Sequence, residues 1–137
     1  MDREARRHFE QILTLARQNF SNVQVQSYDI SARRAILKVA GAYGDKRVEI
    51  TEILTPQVRK YSYYLLRSDF VLLGLDNSAD RQALRLKYGA EFVQHLHEPI
   101  PHLHTENKQK LTLMEEKSFA DFVEMVLDFE KWEDEED

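Results

Sequence analysis

The chain has 137 residues, 42% of them hydrophobic and 31% charged, the proportions of an ordinary soluble protein of one domain. It has no cysteine, which excludes disulfides, thiolate-bound metal and thiol nucleophiles. The net charge of −5 resides in the last eight residues, EKWEDEED, because the 18 basic and 18 acidic residues before them cancel.

Residues 1–129 therefore read as one domain, and 130–137 as an acidic, disordered tail. A balanced body argues against tight, indiscriminate binding to nucleic acid. No stretch approaches the ~20 apolar residues of a membrane span, and MDREARRHFE lacks the apolar centre of a signal peptide. A cytoplasmic location with no membrane partner is expected.

Ala5, Phe9, Ile12, Leu13 and Ala16 fall on one face of a helix over about residues 3–19, with Asp2 as its cap. The period then changes from helical to alternating. NVQVQSYDI, RRAILKVAG, KRVEITEIL, RKYSYYLL and FVLLGLD are rich in β-branched and aromatic residues, as half-buried strands require. SAR, AYGD, TPQ and RSD connect them too tightly for parallel crossovers. A five-stranded antiparallel meander is expected. SADRQALRLKYG reads as a short helix capped by Asn77 or Ser78 and ended by Gly89. Ser118 and Asp121 form a capping box that starts a final amphipathic helix. The expected fold is α+β, with the two long helices on one face of the sheet.

Four of the five histidines lie in HLHEPIPHLH, His95 to His104. Pro99 and Pro101 bias the segment toward extended geometry. In extended chain His95 pairs with His97 and His102 with His104, while Leu96 and Leu103 point the other way. Three readings stand. The imidazoles hold zinc, nickel, copper or iron, with Glu98, Glu106 or Asp76 completing the shell. Alternatively they transfer protons, one as base and one as acid, as metal-free RNA cleavage requires. Or they are exposed loop histidines without a task.

GLDNS (Gly74–Ser78) is the second place of interest. Asp76 and Asn77 serve a turn or cap, or Asp76 orients an imidazole. Arg81, Arg85 and Lys87 offer a local anion site beside the histidines, or simply a solvated helix face.

A helix-then-meander chain with YSYYLL (Tyr61–Leu66), a strand end LDN (Leu75–Asn77) and PHLH (Pro101–His104) before a last helix resembles the TumE-type toxins. These are small proteins of bacterial and archaeal toxin–antitoxin modules. The resemblance covers roughly residues 46–129 and rests on Tyr61, Tyr63, Asp76, Asn77, His102 and His104. It departs where the family has Pro-His-His after Asp-Asn and this chain has SADR (Ser78–Arg81). Either His95 and His97 supply the displaced pair after a helical insertion, or part of a site is lost.

The resemblance implies an RNA-directed, ribonuclease-like toxin with an antitoxin protein as its partner and no cofactor. His102 and His104 are then the acid–base groups, assisted by His95 or His97, with Asp76 orienting them. Arg81, Arg85 and Asn77 would hold the substrate. The alternative is a non-catalytic metal-binding or protein-interaction module in which His95, His97, His102 and His104 are ligands for zinc or nickel. Self-association of the chain is left open.

Overall fold

The computed structural model describes residues 2–136, without the side chains at 130 and 132–136. The acidic segment expected at 130–137 is described only in its backbone to Glu136 and in the side chain of Lys131. Helix α1 (Asp2–Asn19) buries Ala5, Phe9, Ile12, Leu13 and Ala16, the stripe read from the sequence. Strands β1 (Ser21–Ile30), β2 (Ala35–Tyr43), β3 (Lys46–Leu54), β4 (Arg59–Arg67) and β5 (Phe70–Asp76) follow as antiparallel neighbours. The β2–β3 connection is a tight turn at Gly44-Asp45, where Gly44 has φ +63°, a conformation that glycine adopts without penalty.

The sheet has seven strands, two more than the sequence pattern gives. After α2 (Arg81–Tyr88) and a 3-10 helix (Gly89–His95), β6 (His102–Thr105) pairs with β5 and β7 (Lys110–Leu113) with β6, all antiparallel. Both extra strands are four residues long, too short for alternation to register. Their hairpin turn also lacks the usual glycine. Glu106, Asn107 and Lys108 take positive φ instead, and Asn107 anchors the turn by bonding Val71 through both backbone and side chain. Helix α3 (Phe119–Glu136) completes the described chain. Its capping box forms as read: Ser118 N donates to Asp121 Oδ2 at 2.8 Å and Asp121 N to Ser118 Oγ at 3.2 Å.

Cross-strand partners share a face, so the register sorts the sheet into two sides. Val39, Ile50, Tyr63, Leu75 and Leu103 make one row of the first side. Against that side pack Phe9, Ile12 and Leu13 of α1 and Phe119, Phe122 and Val126 of α3, forming the main core. Each such side chain stabilises the fold by about 1.5–3 kcal/mol relative to exposure. Both long helices therefore cover one face, as expected.

On the opposite side, one row runs Tyr64, Gly74, His104, Leu111 and the next Ser62, Asp76, His102, Leu113. α2 covers the β6–β7 end of this side through a small separate cluster of Ala83, Leu84 and Ile100, with Tyr88, Phe92 and Leu111. The histidines of β6 are buried beside it, near the cap of α2. Among the described residues, no helix is long and apolar enough to cross a membrane.

Candidate functional site

His102 and His104 stand two residues apart on β6 and share a face, as alternation requires. Their rings meet edge to face with centroids 4.7 Å apart. Neither is exposed: His102 is 1% and His104 7% accessible. The Nδ1–H of His102 donates to the Ile100 carbonyl at 2.6 Å, which leaves Nε2 free of that bond. His104 Nδ1 is buried without a hydrogen-bond partner. Burial, the neighbouring His102 and the Lys108 ammonium all push the His104 pKa below its ordinary value, against the opposing pull of Asp80 and Asp76. His104 is therefore a neutral imidazole at pH 7.

A third group joins them, one the sequence reading passed over. Asp80 places a carboxylate oxygen with a nitrogen of His102 and one of His104, all within 4.8 Å of one another. Asp80 is the N-cap of α2, its Oδ1 accepting from Ala83 N at 2.9 Å. Asn77 and Ser78, the expected caps, are engaged elsewhere. The Asn77 amide accepts from Tyr61 N and donates to the Arg59 carbonyl, so it prolongs the β4–β5 ladder. Ser78 Oγ donates to Asp76 Oδ1 at 2.7 Å.

The other expected site residues lie apart from this centre. His95 ends the 3-10 helix, and His97 lies in the turn beyond it, so the first His-x-His pair is not extended and does not share a face. His95 stacks on Tyr88 at 3.7 Å and bonds Glu98 at 2.7 Å. The Asp76 carboxylate reaches no imidazole directly; it accepts from Tyr64 OH at 3.2 Å, and the Tyr64 ring lies parallel to His104 at 6.5 Å. That stacking depends on Gly74, because any Cβ there would strike the Tyr64 ring. Arg81 and Arg85 are exposed, with both guanidinium groups over the Phe92 ring.

A second polar constellation lies on the main-core side. Glu52 is fully buried in β3, and its Oε1 takes four bonds: from Tyr63 OH at 2.7 Å, His8 Nε2 at 2.9 Å, and Arg59 Nη2 and Nε at 3.2 and 3.3 Å. Its Oε2 is buried without a partner. Arg59 also donates to the Lys117 carbonyl at 3.0 Å and lies over the Tyr61 ring. Burial alone would lower the Arg59 pKa, but Glu52 and Tyr63 hold it above its ordinary value. Burial and the Glu52 carboxylate push Tyr63 far up. The signal for this cluster was in KRVEITEIL, where alternation puts Glu52 on the inward side with Val48 and Ile50.

The centre on β6 thus offers two neutral-capable imidazoles and one carboxylate in a nearly closed space, chemistry suited to holding a cation or passing a proton. Comparison with protein families, with curated proteins and with solved structures finds none that matches this chain.

Proposed function

We propose that this chain is the toxin component of a toxin–antitoxin pair and that it acts on RNA through the His102–His104 centre. The observation that carries this reading is the contact between the two rings, 4.7 Å apart on one face of β6. Cleavage at a 2′-hydroxyl needs one group to take a proton and another to give one. Two adjacent imidazoles of unequal environment supply both, with His104 the neutral acceptor. The YSYYLL, LDN and PHLH segments supply the toxin assignment by resemblance. Both rings are buried, so RNA reaches them only when a neighbouring element moves aside. The small cluster beneath α2 makes that helix the cheapest element to displace. Arg81 and Arg85, exposed on α2, are placed to meet phosphate as it arrives.

The second reading is a non-catalytic binding module, favoured by the depth of the same two rings. Inducible expression separates the two. Wild type is expected to arrest growth and degrade bulk RNA, and His102→Ala with His104→Ala to abolish both effects at equal protein level. Equal harmlessness of wild type and double variant overturns the toxin reading.

A further inference from the structure

We propose that Asp80, His102 and His104 form a binding site for one divalent transition-metal ion, zinc foremost. This gives the centre described above a cofactor, and it rests on the toxin reading only for what the ion would serve. Three observations carry it. The first is convergence: one donor atom from each residue lies within 4.8 Å of the others. Zinc bonds of 2.0–2.1 Å in a tetrahedron set neighbouring ligand atoms roughly 3.3 Å apart, so the donors must draw in on an ion from a separation already close to that.

The second observation is the state of each donor. His102 is oriented by the Ile100 carbonyl on Nδ1, the outer-shell arrangement that fixes a ligating imidazole and leaves Nε2 free. Asp80 spends Oδ1 on the helix cap, which leaves Oδ2 for an ion. His104 is buried with its Nδ1 unpartnered, so the protein itself does not satisfy that ring.

The third observation is location. The three donors come from β6 and from the cap of α2, so an ion among them ties the start of α2 to the sheet, and any lifting of α2 would give up the Asp80 ligand. Two imidazoles and one carboxylate suit zinc, and nickel next, with a further coordination position left open. His95 and His97, ligands in the sequence-based alternative, are not members. Rings that hold an ion cannot also be the acid and base of the metal-free reading, so with the ion bound proton transfer would fall to water upon it.

The test is zinc titration of untagged, metal-stripped protein by calorimetry, with cobalt absorption reporting ligand geometry. One equivalent per chain is expected to bind with a dissociation constant in the micromolar range or below. His102→Gln or His104→Gln should weaken binding at least 100-fold and Asp80→Asn at least tenfold. Asp80→Asn retains a competent helix cap, so it folds even if the histidine variants do not. His95→Asn and His97→Asn should bind as wild type does. Zinc should also shift the His102 and His104 imidazole resonances of wild-type protein, a readout that needs no variant.

Absence of micromolar binding, or binding indifferent to Asp80, His102 and His104, overturns the inference. The growth assay is separate. Zinc binding without toxicity leaves the metal site standing and removes the toxin reading. Histidine-dependent toxicity without zinc binding does the reverse.

Discussion

His104 shows how a residue's surroundings choose its chemistry. Its face of the sheet presents His102, Asp76, Tyr64 and Lys108, and Asp80 approaches from the cap of α2. Burial dominates, with His102 and the Lys108 ammonium adding to it, so the folded chain takes up a proton there less readily than the unfolded chain. Above about pH 7.5 both states are neutral and this group adds little pH dependence. As pH falls below about 6.5, the unfolded chain binds a proton that the folded chain refuses, so stability declines until the lowered folded pKa is passed. Urea unfolding of metal-free protein between pH 7.5 and 5 should show this slope, up to about 1.4 kcal/mol per pH unit. His104→Gln should flatten it. An unchanged slope in the variant would show that the ring is not held neutral.

At the scale of the element, the capping box of α3 is a local device with a calculable effect. Ser118→Ala removes one of the two reciprocal bonds, and a loss of about 0.5–2 kcal/mol by urea denaturation is expected. Elements of this kind were legible in the sequence because a few neighbouring residues determine them: the α1 stripe, the five long strands, the α3 cap, and Gly89 at the end of α2. β6 and β7 were not legible, since four residues carry no period and the turn between them adopts positive φ without glycine. The pairing of His102 with His104 followed from alternation once that segment was taken as extended. The pairing expected of His95 with His97 failed for the same reason in reverse, because a 3-10 helix reaches His95 across the limit that the prolines seemed to set. Asp80 could not be found from spacing, since its approach to β6 depends on α2 folding back over the sheet.

At the scale of the whole molecule, the strands lie in the sheet in chain order, so nearly every pairing is between sequence neighbours. The Glu52 network reaches across that order. It joins α1 through His8, the sheet through Tyr63 and Arg59, and the approach to α3 through the Lys117 carbonyl. Removing the carboxylate leaves Arg59 and Tyr63 uncompensated in the interior, and breaking a buried pair in this way costs about 3–5 kcal/mol. Glu52→Ala should therefore lower global stability by that amount. Hydrogen exchange should also accelerate in α1 and α3 together, more than in the β5–β7 part of the sheet. Acceleration limited to one helix would mean that the network does not couple the ends.

The turn that presents Lys108, the helix that presents Asp80 and the strand that presents both imidazoles all belong to the single excursion between β5 and β7. Everything upstream of Asp76 could keep its architecture while that excursion varied in length, sequence and chemistry. Evolution, or a protein engineer, could thus treat the segment as an exchangeable cassette. Grafted onto the rim of an unrelated antiparallel sheet, it would carry its histidine–aspartate cluster with it.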